Sequence, residues 1–282
     1  SRTSVQYSQS WLDAVVERRI AFLQGYGRGL RALGCLAEYS RTVHGTSSTR
    51  LANAPASSTE AKNAQPSARV LGETDSKAIL AKAGIPTVET VQAATTEEAV
   101  READRIGYPV VLKVSAKELT HKSDQGGVLL GLKNAEAVRR GFESLQEVAS
   151  KAKATFDGVT VQPMAKSGVE IIVGGHRDPQ FGPVIAFGLG GVFVEVLRDV
   201  ALRVAPLSDK DAKAMLDEVK GKALLDGLRG QPPCDRKAIT DALCRVSELM
   251  LSRQDIMSVD ANPAIAYTTG LTVVDARIVL NP

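Results

Sequence analysis

The stretch VLKVSAKELTHKSDQGGVLLGL, Val111 to Leu132, holds two strand-like apolar runs around a polar loop. The first run begins upstream as YPVVLKVS and reads as a buried strand; the second, GGVLLGL, reads as another. Between them lie His121, Lys122, Ser123, Asp124 and the pair Gly126-Gly127. Adjacent glycines let backbone approach an anion closely, and successive N–H groups can form an anion nest. Lys113, near the end of the first run, suits a phosphate as a compact cation with three donors. A strand-end lysine can equally snorkel to solvent. His121, as neutral imidazole, offers a lone pair to phosphorus. It can equally be a loop histidine with local hydrogen bonds. Walker-type spacing is absent, so this is not a P-loop.

Around this stretch the pattern is regular. Asp75 to Ala83 reads as a helix stopped by Gly84 and Pro86. Thr95 with Glu98 forms a capping box for a helix ending at Gly107. Asn134 caps a helix whose apolar face is Val138, Phe142, Leu145 and Val148. GVTVQPM, GVEIIVGG, GPVIAFG and VFVEVL follow as strands. Ser208 with Asp211 is a further capping signature, and residues 236–252 read as a helix using Ile239, Leu243, Val246 and Leu249 or Met250. SVDANPAIAY and LTVVDARIVL form a hairpin around Thr268-Thr269-Gly270. Strands with flanking helices make the fold class mixed α/β (α+β).

Residues 11–43 read as helical, with Leu12, Val15, Val16 and Ile20 on one face and GYGRG interrupting the pattern. Residues 45–69, rich in Ser, Ala, Thr, Asn and Pro, are expected to be a flexible linker, because so few apolar groups cannot offset ordering entropy.

Composition narrows the function classes. The 282 residues carry a net charge of only +3, and the longest cationic clusters are pairs such as Arg139-Arg140. With 4% aromatic residues, this argues against a nucleic-acid surface. No apolar run approaches the ~20 residues of a membrane span. Cys35, Cys234 and Cys244 lack metal-ligand spacing and read as reduced thiols, which points to a cytoplasmic protein. The start has no initiator Met and no leader pattern, so the reading expects part of a longer protein.

Three further segments carry chemistry. In VQPMAKSGVE, Val161 to Glu170, an irregular link after a strand can pair its backbone with an adenine edge, and Glu170 can accept from ribose hydroxyls; an ordinary strand–turn–strand would look the same. Asn262 and Asp275 lie on opposite arms of the last hairpin and offer hard oxygen ligands suited to Mg²⁺, with Asp260 in support. The bland reading is an Asn-Pro turn and a solvated Asp. Gly188, Gly190 and Gly191 form a glycine loop ending at Glu195, after Arg177 and Asp178 in a turn. Its spacing is not that of a dinucleotide fingerprint. A lysine, a hinge with a ribose acceptor and late magnesium ligands are together the set that holds ATP for phosphoryl transfer.

From about Val70 to Pro282 the chain resembles the ATP-grasp domain of ADP-forming (NDP-forming) acyl-CoA synthetases, relatives of the succinyl-CoA synthetase beta subunit. The resemblance rests on AILAKAGIPTVE, GYPVVLKVSAKELTHKSDQGGVLLGL, VEIIVGGHRDPQFGPVIAFGLGGVFVEVLRDVALRVAPL and DANPAIAYTTGLTVVDARIVL, about three quarters of the chain. It implies an ATP-grasp fold of two subdomains at 70–282. It also implies that the helices at 1–44 are the tail of a preceding ligase domain.

It implies roles as well. Lys113 would contact the ATP phosphates, with Gly126, Gly127, Gly190 and Gly191 as the phosphate loops. Gln162, Met164 and Ala165 would form the adenine hinge, and Glu170 the ribose acceptor. Asn262 and Asp275 would bind Mg²⁺. His121 would be the second phosphohistidine of the family, relaying a phosphoryl group between ATP and a first phosphohistidine on the CoA-ligase part. Succinate-specific relatives have a glycine-rich segment in place of His121-Lys122-Ser123, so the histidine points to the acyl-CoA group. Ala261, Ser258 and His176 depart from commoner residues of the family without removing a named ligand.

The implied cofactors are ATP/ADP and Mg²⁺. CoA would be a co-substrate held mainly by CoA-binding and ligase domains, N-terminal or on a separate alpha subunit, in a dimeric or α2β2 assembly. The chain alone would not complete acyl-CoA synthesis. Two other readings differ in class. A non-synthesising regulatory domain of a protein-acetyltransferase-like protein would not need His121 and both magnesium ligands, and a carboxylate–amine ligase needs no histidine in the loop.

Overall fold

The computed structural model describes residues 68–116, 126–191, 199–228 and 232–281. The helices expected at 11–43, most of the expected linker, the His121 loop and the strand expected at VFVEVL lie outside the described residues.

The described elements run β1 (Arg69–Val70), α1 (Glu73–Lys82), β2 (Val91–Ala93), α2 (Thr96–Ile106), β3 (Val110–Val114), β4 (Val128–Leu132), α3 (Ala135–Lys151), β5 (Val159–Pro163), β6 (Val169–Asp178), β7 (Gly182–Leu189), β8 (Val200–Val204), α4 (Asp209–Glu218), α5 (Arg236–Ser252), β9 (Ile256–Ala266), β10 (Leu271–Val273) and β11 (Ala276–Leu280). Among the described residues they form two antiparallel sheets. The smaller is ordered β2-β5-β3-β4; the larger is β1-β11-β9-β6-β7-β8, with β10 also on β9. Arg69, expected as the last linker residue, already pairs with Leu280.

Local chemistry sets the helix ends. Thr95 Oγ1 accepts from Glu98 N, and Asn134 Oδ1 accepts from Ala137 N. Ser208 and Asp211 make both bonds of a capping box. α1 starts two residues before its expected position, at Glu73, after a Gly72 that gives no side-chain cap. β2 and β8, which no strand expectation covered, are a three-residue strand and a sheet edge.

Alternation splits the small sheet into two faces. Val110, Leu112 and Val114 of β3, with Val159 and Val161 of β5, pack against α2 and α3 through Ala99, Ala103, Val138, Phe142 and Leu145. The opposite face carries Lys113 directly across from Thr160, and Val111 across from Gln162. The large sheet buries Ile171, Val173, Ile185, Phe187, Val259 and Ile278 beneath α4 and α5. Its other face is left to Glu170, Asp260, Asn262 and Arg277, all exposed.

The last hairpin forms in the expected register. Leu271 pairs with Ala266 and Ala276 with Ala261, about a turn in which Tyr267 N donates to Gly270 O. Its second arm divides into β10 and β11 because Pro263 has no N–H for the ladder. Val274 N instead donates to Pro263 O. Arg177, expected in a turn, belongs to β6, where its guanidinium donates to the carbonyls of Met250, Arg253 and Ile256. Asp178 shapes the turn that follows by accepting from Gln180 N and Phe181 N.

Candidate functional site

The face of the small sheet opposite its helices meets α1 and the residues just before β11 around four charged side chains. Lys113 Nζ donates to Glu73 Oε1 (2.7 Å), to Asp275 Oδ2 (2.9 Å) and to the Val274 carbonyl (3.2 Å). Glu73 Oε1 also accepts from Lys77 Nζ at 2.7 Å. Lys77 Nζ completes its three donors on Thr90 Oγ1 and Gln162 Oε1, both at 2.8 Å. Lys77 and Lys113 are each only 3% exposed. An ammonium this deep persists only if paired, so Glu73 is the counter-charge on which both depend.

The titration behaviour follows from that geometry. Burial pushes the Lys113 ammonium down, but the carboxylates of Glu73 and Asp275 outweigh it and hold the group above the ordinary lysine value. Burial likewise opposes ionisation of Glu73, and the two lysines overcome it, so its carboxyl lies below the usual range. For Lys77 burial wins; with Lys113 repelling it and Glu73 only partly compensating, it falls to about 8.

Asn262 and Asp275 face each other across the hairpin, with Asn262 N donating to Asp275 O at 3.1 Å. Asp260 lies two residues before Asn262 on the same face, opposite Arg277. Partial burial, and then the charge of Asp275, push the Asp260 carboxyl up, against the pull of Arg277. Asp260 keeps exposed surface, which moderates the effect. An amide oxygen beside carboxylates is a hard-oxygen set that fits Mg²⁺, an ion that takes one or two protein carboxylates and completes its shell with water and phosphate. Among the described residues no cluster of three or more His, Cys, Asp or Glu could hold a metal alone, so a closed all-protein cage of that kind is not built there.

Glu170 and the second glycine pair are also brought together. Gly190 N donates to Glu170 O at 2.7 Å. A Cβ at Gly190 would come within 2.8 Å of Glu170 Cβ, and one at Gly191, where φ is +65°, within 3.2 Å of Glu170 Oε2. Only glycine lets this loop lie so close to the glutamate. Gly126, at φ +71°, and the buried Gly127 lead into β4, and Gly127 O accepts from Val114 N of β3. The hinge candidates divide. Met164 is exposed and its N–H donates to Pro109 O; Ala165 is half-buried; the Gln162 side chain, 1% exposed, is committed to Lys77. His121 itself lies outside the described residues.

Residues 62–280 match the ATP-grasp domain family. The chain is 44% identical to the beta subunit of acetate–CoA ligase [ADP-forming] I of Pyrococcus furiosus, over 75% of its own length and 92% of that subunit. The chain belongs to the ATP-grasp family of ADP-forming acyl-CoA synthetase beta subunits. Against acetate–CoA ligase [ADP-forming] I of Archaeoglobus fulgidus it is 40% identical over 90% of its own length, but spans only 38% of that longer protein. Among solved structures, acetyl-coenzyme A synthetase 1 of Ca. Korarchaeum cryptofilum, in complex with coenzyme A and Ca-AMPCP, matches with a TM-score of 0.73 at 46% identity, covering 75% of this chain and 93% of that one. The same enzyme has been seen with Mg-AMPPCP and a phosphohistidine segment pointing towards the nucleotide binding site. No helix among the described residues of this ATP-grasp chain is long and apolar enough to cross a membrane.

Glu73 and Lys77 were missed by sequence reasoning. They stand four apart on the α1 face that also buries Ser76 and Leu80. That buried face is mostly polar, so apolar periodicity does not mark it, and a charged pair on it needs a partner in the interior.

Proposed function

We propose that this chain is the nucleotide-binding, phosphoryl-transfer part of an ADP-forming acyl-CoA synthetase. The full reaction takes a carboxylic acid, CoA and ATP to acyl-CoA, ADP and phosphate. The single observation that carries the reading is the buried Lys113 at the end of β3, two residues before the His121 loop opens, with its ammonium on Asp275.

In this reading Lys113 and the backbone of Gly126-Gly127 and Gly190-Gly191 hold phosphate oxygens. Glu170 accepts from the ribose, and the link around Met164 and Ala165 flanks the base. Asn262 and Asp275 hold Mg²⁺, which supplies charge neutralisation at the phosphates when bound. His121 uses the lone pair of its neutral imidazole: a P–N bond forms to the γ-phosphorus as the bond from that phosphorus to the β,γ-bridging oxygen breaks, and ADP leaves. The histidine splits one long transfer into two shorter ones. The phosphoryl group then passes to a CoA-ligase part, in a second subunit or domain, where the acid and CoA bind. The relatives' names and the phosphohistidine segment of the Korarchaeum enzyme support this assignment.

Reconstitution tests it. The chain is mixed with a CoA-ligase alpha subunit from an ADP-forming relative, and ADP and acyl-CoA formation from acetate, CoA and ATP is followed. Wild type is expected to turn over and His121→Ala to lose turnover by at least about a thousandfold, as loss of a covalent nucleophile does. Undiminished turnover by His121→Ala would refute the phosphohistidine role.

A further inference from the structure

All three donors of the Lys113 ammonium are in use, on Glu73, Asp275 and Val274. A phosphate oxygen can reach it only if one of these bonds is given up. The bond to Glu73 is buried and braced from the far side by Lys77, whereas the Asp275 side chain is 37% exposed. Of the two carboxylates, Asp275 is therefore the one that can exchange. It is also the carboxylate that the functional reading gives to the metal. One ion pair thus joins the cation meant for phosphate to the anion meant for the metal, and each partners the other.

Glu73 pairs with both Lys77 and Lys113, and Lys113 pairs with Asp275 as well. Metal alone at Asp275 takes a partner from a buried lysine, and phosphate alone at Lys113 strands a carboxylate beside it. Both ligands together restore a partner to each.

We propose that the Lys113–Asp275 pair is a latch that makes metal and nucleotide binding depend on each other, with Glu73 and Lys77 as positioning residues that keep Lys113 in place while it changes partner. The proposal rests on the nucleotide-binding reading above. Opening the latch from one side should help the other ligand, a reciprocity required of coupled sites. Simple loss of a ligand would not do this. Removing a nearby charge also changes through-space repulsion, so the decisive quantity is whether the effect of one residue requires the other.

The experiment is a double-mutant cycle on the full chain, reading ADP affinity in EDTA by calorimetry for wild type, Lys113→Met, Asp275→Asn and the double variant, after melting curves confirm folding. Asp275→Asn is expected to bind metal-free ADP about tenfold tighter than wild type, within the usual range of site–site coupling. In the Lys113→Met background the same change should give less than about twofold, within ordinary additivity error. The reciprocal arm, which does not need Asp275→Asn to fold, is Mn²⁺ binding without nucleotide by EPR. Lys113→Met should bind Mn²⁺ several-fold tighter than wild type, and the increase should vanish when Asp275 is also replaced. Equal gains in both backgrounds, or none, overturn the latch. If wild type binds ADP neither with nor without Mg²⁺, the functional reading itself fails, which is a separate outcome.

Discussion

Glu73→Gln removes the carboxylate shared by two buried lysines, and the resulting loss can be worked out from the structure. Two contributions add. Lys77, with its ammonium at about 8 in the folded protein, can escape its lost partner by releasing a proton. At pH 7 that escape lies one unit away, so its share of the destabilisation is capped near ~1.4 kcal/mol. Lys113 keeps Asp275 and Val274 O but loses a 2.7 Å charged hydrogen bond, worth about 1.5–3 kcal/mol. The sum is roughly 3–4 kcal/mol at pH 7, consistent with breaking a buried pair. Above pH 8 Lys77 is already neutral in the folded wild type, and the cost should shrink to the Lys113 share. The assay is thermal and urea unfolding of wild type and Glu73→Gln at pH 7 and pH 9. A domain of this size should lose about 6–16 °C of Tm at pH 7, and less at pH 9. Glu73→Gln/Lys77→Met should recover part of the loss at pH 7, because one stranded cation is gone. A Glu73→Gln protein melting within about 2 °C of wild type at pH 7, or losing equally at both pH values, would refute the shared counter-charge.

Two other expectations follow from the same geometry. The folded protein releases the Lys77 proton near 8 while the unfolded chain keeps it to the ordinary 10.5, so the unfolded state binds more protons in between. Stability should therefore rise with pH across that window, by up to ~3 kcal/mol, and Lys77→Met should flatten the rise; an unchanged slope in that variant would contradict the assignment. Gly190→Ala drives a Cβ against Glu170, both side chain and backbone. It is expected to weaken nucleotide binding about fivefold or more, since a rigid overlap of this kind costs ~1–3 kcal/mol, and calorimetry finding wild-type affinity would show that Glu170 and this loop do not act at the nucleotide.

What could be read from the sequence divides along physical lines. Capping signals marked α2, α3 and α4 because their chemistry is local: Thr95, Asn134 and Ser208 each satisfy a backbone N–H three residues on. The pairing of Asn262 with Asp275 was legible because a tight turn at Gly270 fixes the hairpin register. The setting of Lys113 was not. Its alternation with Val111 puts it on one face of β3, but Glu73, forty positions earlier, and Asp275, far later, reach it only through the approach of α1 and the last hairpin to the small sheet. Gln162 shows the same limit. Its place in a hinge-like link suggests the base, while the fold gives its side chain to Lys77. β8 escaped notice because its exposed positions are the apolar Val200, Leu202 and Val204 while its inward positions are Ala201 and Arg203, the reverse of the usual alternation.

The central claim is that the Lys113-centred site delivers a phosphoryl group to His121. The most direct measurement is incubation of the chain with γ-labelled ATP and Mg²⁺, followed by quantitation of protein-bound label and its stability. The account expects label that is lost in acid and kept in base on the wild type, and none on His121→Ala. Equal labelling of His121→Ala and wild type would contradict it.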